Sequence, residues 1–173
     1  AFFETAACSL VELLNLDNGW VMLDDGQDGW KEAAHHAAFP QAAGDGPSRP
    51  LLDRVRRDRR TYWRSSPGSA TATGVLLGLS EVQAVVAAPI LDPTGAVLGL
   101  LYGDRRQGGS AITRLEAMLI ELLASSVATG LARLTQEQQL MAARVQFEQF
   151  FTPELSRELE QQPDLLAGRS TEV

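Results

Sequence analysis

Cysteine is nearly absent from this 173-residue chain: Cys8 is the only one. That excludes an internal disulfide and fits a reducing compartment. Lysine is as scarce, with Lys31 alone and the rest of the 15 basic residues arginine. Histidine is confined to His35 and His36. Positive charge is in deficit overall, at a net −7, which argues against a nucleic-acid surface, since phosphate contacts need a concentrated basic face. No apolar run approaches the ~20 residues of a membrane-spanning helix; the longest, around 117–124, is interrupted by Glu121. No membrane partner is expected. No basic n-region or cleavage site marks a secretory signal, and a cytoplasmic location is expected. The chain opens inside a helix pattern without Met, and reads as a piece cut from a longer protein.

What remains is the composition of a globular protein, 45% hydrophobic and 21% charged, enough to bury a core. Apolar residues at Phe3, Ala6, Ala7, Leu10, Leu13 and Leu14 recur every three or four positions, which predicts an amphipathic helix over 3–16. Asn15, Asp17, Asn18 and Gly19 supply its stop and a turn. A buried strand is expected at 20–23 and a second at 30–38, joined by the turn at 24–29. A short helix at 51–59 and a strand at 60–64 follow. The most regular stretch is a strand at 84–91, a type I turn at Asp92-Pro93-Thr94-Gly95 and a strand at 96–102. Its near-continuous apolar content marks both strands as central. Gly99 and Gly103 point to a close neighbour or a bulge.

Three stretches invite chemistry and fail its requirements. The Asp-rich turn from Asp24 lacks the alternating ligands and twelfth-position Glu of a calcium loop, His35 falling twelfth, so a plain hairpin turn is the better account. The Ser/Gly/Thr-rich loop at 65–74 lacks the phosphate-cradling G-x-x-x-x-G-K-[ST] pattern. The dense run Arg54, Arg56, Arg57, Arg59 and Arg60 reads as a solvated helix face with Asp53 and Asp58 as partners.

From Ile112 a helix is expected as far as Phe151. Within it Val127, Leu131, Leu134, Gln138, Met141 and Val145 alternate spacings of four and three, the seam of a coiled coil with one polar position that can fix register. This predicts a parallel homodimer; the plainer reading is a long amphipathic helix packed on its own domain.

The order helix, hairpin, irregular region, short helix, hairpin, long helix resembles a GAF domain, whose fold is α+β: an antiparallel β-sheet with flanking helices, here with a long C-terminal signalling helix. The stretch AVVAAPILDPTGAVLGLLYGDR (84–105) is similar to the family's paired central strands, with Gly99, Leu101, Tyr102 and Asp104 matching the return strand. The resemblance covers residues 1–134, with a signalling helix at 135–152. The tail, FEQFFTPELSRELEQQPDLLAGRSTEV, resembles the segment leading into class III adenylate and guanylate cyclase domains: Phe147, Phe150, Phe151 and Pro153 end one helix, and a short helix, a Leu/Gly turn and a strand edge at 171–173 follow. It implies that 153–173 begin a catalytic domain whose divalent metals and catalytic residues lie beyond Val173. This stretch would then regulate without catalysing. The alternatives are a sensor module of a histidine kinase, transcription activator or phosphodiesterase, and a ligand-free spacer.

The GAF resemblance implies a small-molecule effector held on one sheet face. Candidate lining residues are His35 or His36, Phe39, Tyr62, Trp63 and Ser80, each of which ordinary packing also explains. The two adjacent histidines face opposite sides of a strand and have no cysteine or carboxylate cluster beside them, so no metal site is expected. Cys8, in the first helix, is misplaced for bilin attachment, and one thiol cannot run a reductase cycle. The Asn-Lys, Phe and Asp-Glu pattern of cyclic-nucleotide-binding relatives is missing. No cofactor is assigned, and the effector is left unnamed.

Overall fold

The computed structural model describes residues 1–27, 29–40, 46–65, 82, 84–106 and 110–150. Eight elements follow in order: α1 (Phe2–Leu14), β1 (Asn18–Asp24), β2 (Trp30–Ala37), α2 (Arg49–Asp58), β3 (Tyr62–Ser65), β4 (Ala84–Leu91), β5 (Val97–Arg105) and α3 (Arg114–Phe150). The strands form one antiparallel sheet in the order β2-β1-β5-β4-β3. A compact unit spans Ala1–Leu131, and a second runs from Ala132 to Val173, in which the described residues are the end of α3.

Alternation along the strands gives the sheet two faces. One carries Val21, Val86, Ala88, Ile90 and Leu101, packed beneath α1 (Ala6, Ala7, Leu10, Leu14) and the first part of α3 (Ile120, Ala124, Val127). The other carries Trp20, Met22, Val85, Ala87, Leu100 and Tyr102 beneath Leu51, Leu52 and Val55 of α2. Helices therefore lie on both faces, because α2 has an apolar stripe of its own to bury.

Gly99 and Gly103 are where the fold is tightest. A Cβ on Gly99 would lie 2.3 Å from the Met22 carbonyl oxygen, and one on Gly103 would lie 2.3 Å from Leu16 Cδ1. Asp92 organises the β4–β5 turn, its Oδ1 accepting hydrogen bonds from the Thr94 amide (2.8 Å) and hydroxyl (2.6 Å) and the Ala96 amide (2.8 Å).

The expected elements are present with shifted ends. β5 continues to Arg105 because the polar Asp104 and Arg105 find buried partners. α2 stops at Asp58, with Arg59 in a left-handed cap at φ 51°, so Arg60 lies off the helix. The Asp24–Gly29 turn is a hairpin turn held by its own carboxylates: Asp25 Oδ1 accepts from the Gln27 (2.9 Å) and Gly29 (2.8 Å) amides. By length and composition alone, Arg114–Gln146 could cross a bilayer, its most apolar 18-residue window having a mean hydropathy of 1.5. This corrects the expectation that no apolar stretch approaches the length of a span: isolated charges such as Glu121 interrupt the run without making the window polar. Ala117, Ile120, Ala124 and Val127 pack one side of its first part onto the sheet, while Leu115, Met118 and Leu122 on the other side are exposed.

Candidate functional site

The polar chemistry gathers on the α2 face, near one end of β1 and β5. Asn18 and Asp104 are register partners across these strands, and both are fully buried. Asn18 Nδ2 donates to Asp104 Oδ1 at 3.0 Å. On the edge strand, His35 is the register partner of Trp20. Its ring stacks on the indole at 4.4 Å and 13°, and its Nε2 lies 3.3 Å from Asn18 Oδ1. With the Asn18 amide nitrogen donating to Asp104, its oxygen is the acceptor, which assigns the proton to His35 Nε2. Tyr102 meets Trp20 edge-on at 5.4 Å, and its hydroxyl is 3.5 Å from Asp104 Oδ2.

Burial pushes the Asp104 carboxyl above the usual carboxylate range, against the hydrogen bond from Asn18 and the Arg106 guanidinium, whose Nε is 3.5 Å away. Burial likewise drives the Tyr102 phenol above its ordinary value, helped by the Asp104 charge. Arg106 Nε is buried without a hydrogen-bond partner, its contact with Asp104 being too long to count as one. The cluster sets aromatic rings beside a carboxylate, an amide and a guanidinium, the mixture that orients a small polar molecule, with Asn18, Trp20 and Asp104 themselves covered.

The next residue faces the other way. Arg105, 4% exposed, donates from Nε to the Asn15 carbonyl at 3.1 Å, from Nη1 to the Ser110 carbonyl at 2.8 Å, and from Nη2 to the Leu14 carbonyl and to Glu116. It thereby satisfies orphan carbonyls at the end of α1 and grips the first turn of α3. Thr113 and Glu116 form a reciprocal capping box there: the Thr113 amide donates to Glu116 Oε2 at 2.7 Å, and the Glu116 amide to Thr113 Oγ1 at 3.2 Å. Burial opposes ionisation of Glu116, but the Thr113 hydroxyl and amide and the Arg105 guanidinium outweigh it and hold the carboxyl below its ordinary value.

The proposed lining residues separate. His35 joins the network; His36, opposite Gly19, is on the α1 face. Tyr62 is on the α2 face, packed beside its cluster, with the Arg54 guanidinium 5.2 Å above its ring. His35 and Tyr62 nevertheless sit on the two edge strands, four spacings or roughly 19 Å apart. Phe39 is 41% exposed just past β2, and Trp63 is 42% exposed and points away from Tyr62, on the other face of β3. Ser80 falls outside the described residues. Asn18, Trp20, Asp104 and Arg106 were not among the expected site residues. Their signal was faint: the one-residue alternation of Tyr102 and Asp104, and an Asn at the first position of a strand.

Cys8 is across the sheet from this network, in α1, where its thiol donates to Glu12 Oε1 at 3.4 Å. That hydrogen bond, burial and the Glu12 charge raise its pKa, so it is a poor nucleophile. Among the described residues no group of three or more His, Cys, Asp or Glu is placed to hold a metal ion.

The GAF domain family model matches residues 1–131. The chain belongs to the GAF domain family. Among solved structures, the blue-light absorbing form of the PixJ GAF domain of Thermosynechococcus elongatus is similar at 23% identity and TM-score 0.61, covering 82% of this chain and 89% of that one. A GAF domain/HD domain protein from Geobacter sulfurreducens is 20% identical at TM-score 0.60, covering 78% and 92%. The GAF-B domain of DevS from Mycobacterium smegmatis is 13% identical at TM-score 0.61, covering 80% and 96%. No curated protein matches. At these identities the likeness to solved structures establishes the fold alone, and the family model supplies the family. Among the neighbours named, none is similar enough to transfer a ligand.

Proposed function

We propose that this GAF domain senses a small polar effector on its α2 face and passes occupancy to α1 and α3, regulating a class III adenylate or guanylate cyclase domain that follows Val173. The observation that carries the sensing half is the end of β5. Asp104 belongs to the buried network on the effector face, while Arg105 grips the end of α1 and the start of α3. A ligand that displaces Asp104 or Arg106 moves a strand whose next side chain holds both helices. Such a ligand acts only through its difference in affinity between the two helix arrangements.

The cyclase half rests on the resemblance of residues 147–173, most of which lie outside the described residues. The effector is a cytoplasmic small molecule, and the working unit is a parallel homodimer. Val127 is 3% exposed and is spent on the domain's own core, and Leu131 packs against that core. Leu134, Gln138, Met141 and Val145 are exposed along α3, and these four are the pairing positions that remain. Class III sites form between two catalytic domains, so re-registering paired helices would change activity.

The codons following Val173 test the output: a Phe-x-Asp-[Ile/Met]-x-Gly-Phe motif supports the cyclase, and its absence overturns it. A different output has its own support, since a chemotaxis protein and a GAF/HD protein are among the structural neighbours. Thermal-shift screening with small metabolites tests the sensing half, because a ligand of the folded state raises the melting temperature by mass action. A hit abolished by Asn18→Ala supports the α2 face; one indifferent to that change sinks it.

A further inference from the structure

Five arginines crowd the end of α2, and their partners divide them. Arg54 pairs with Asp58 at 3.5 Å, Arg56 with Asp53 at 3.2 Å and Asp24 at 3.6 Å, and Arg57 with Asp58 at 3.5 Å. Arg59 and Arg60 have no ion pair among the described residues. These two line a cavity of about 490 Å3 with Trp63, Pro89, Leu91 and Glu121.

The cavity exists because β3 is short. Among the described residues it pairs with Ala84–Ala87 of β4 alone, which leaves Pro89 and Leu91 at the sheet edge without a described strand beside them, flanked on one side by Glu121 of α3. Its volume falls within the ~300–1,000 Å3 of small-molecule sites. Trp63 offers a ring face for stacking. Two unpaired guanidiniums offer planar forks that match carboxylate or phosphate oxygens. In a chain of net charge −7, two cations with no ion pair among the described residues beside an exposed indole are a specific arrangement.

We propose that this edge cavity binds a small planar anion, an aromatic ring bearing a carboxylate or a phosphate. The ring stacks on Trp63 and the anionic group is held by Arg59 and Arg60. Glu121, across the cavity, weakens the site by repulsion and limits the ligand to those whose negative group sits at the arginine end. The site is separate from the α2-face network, since Trp63 and Tyr62 leave β3 in opposite directions, so it does not depend on the function proposed above.

The test is titration of the chain with AMP and with benzoate, followed by tryptophan fluorescence and calorimetry, with adenosine and inorganic phosphate as half-ligands. Trp63 is the tryptophan that reports, because Trp20 is 1% exposed and Trp30 is covered by Arg56. Saturable quenching by AMP or benzoate is expected, with the two probes separating phosphate from carboxylate. Each half-ligand should bind at least about tenfold more weakly. Arg59→Gln/Arg60→Gln should lose about tenfold or more in affinity, Glu121→Gln should tighten binding, and Arg57→Gln should change nothing. All four residues are exposed, so folding is unaffected. Trp63→Phe should abolish the quench while calorimetry still detects binding. The proposal is overturned if neither AMP nor benzoate saturates at millimolar concentration, if the double arginine variant binds like the parent, or if quenching survives Trp63→Phe.

Discussion

The two faces of the sheet are made by the same strands, residue by residue in alternation, yet they are built on different principles. On the α1/α3 face, Val21, Val86, Ala88, Ile90 and Leu101 meet apolar helix stripes, and Gly99 and Gly103 let backbone and side chains close to contact. Its one large charge, Arg105, is satisfied by three carbonyls and a carboxylate. On the α2 face, aromatics surround a buried network that is only partly satisfied: Asp104 is desolvated, its contacts with Tyr102 and Arg106 are long, and Arg106 Nε lacks an acceptor. Satisfied polar groups lock a structure, whereas unsatisfied ones wait for a partner. The first face holds the domain together, and the second is the face proposed to take the effector.

Substitutions at the two ends of β5 should break this contrast most sharply. Arg105→Met should destabilise by about 3–5 kcal/mol, because Glu116 and the carbonyls of Leu14 and Asn15 lose a buried partner. In a domain of this size that lowers the melting temperature by roughly 10–15 °C, readable by calorimetry. Gly99→Ala, which drives a Cβ into the Met22 carbonyl, should cost about 1–3 kcal/mol in a denaturant midpoint. A null effect there would show that the tight face can yield.

The carboxylates should respond to pH with opposite signs. Asp104 has a raised folded pKa, so its contribution is present below the unfolded value of about 4 and is lost as pH rises through the folded one. Glu116 has a lowered folded pKa, so its contribution is present above the unfolded value and is lost as pH falls through the folded one. Relative to the parent, Asp104→Asn should therefore gain stability as pH rises from about 4, whereas Glu116→Gln should gain as pH falls below it. Melting curves of both variants across that range check the signs; parallel slopes would end the distinction between the faces. Met141→Glu should leave stability within about 0.5 kcal/mol, since Met141 is 74% exposed. It should nevertheless weaken self-association in sedimentation. A parent monomeric at tens of micromolar would remove the homodimer from the proposal.

Much of the fold was legible in the sequence because the signals are local. The spacing of Ala6, Leu10 and Leu14 names a helix, the turn Asp92-Pro93-Thr94-Gly95 names a hairpin, and continuous apolar strands name the sheet's centre. The candidate site was legible only in pieces. His35 and Tyr62 were expected to share a pocket and do share a face, but sheet order sets them on opposite edges. Trp63 was grouped with them, and the strand's alternation turns it to the other side. Asn18 and Asp104, 86 residues apart, become partners only through β1–β5 pairing.

The sequence by itself determined the elements, the GAF resemblance, the exclusion of a disulfide within these 173 residues and the amphipathic sides of α1 and α3, since each depends on periodicity or composition within a few turns of chain. Tertiary structure alone decided which polar residues meet, that Val127 belongs to the core rather than to an open seam, and that Asp104 and Arg105 serve opposite faces. The reason is physical: burial and pairing depend on strand order and register, and no short stretch of sequence carries either.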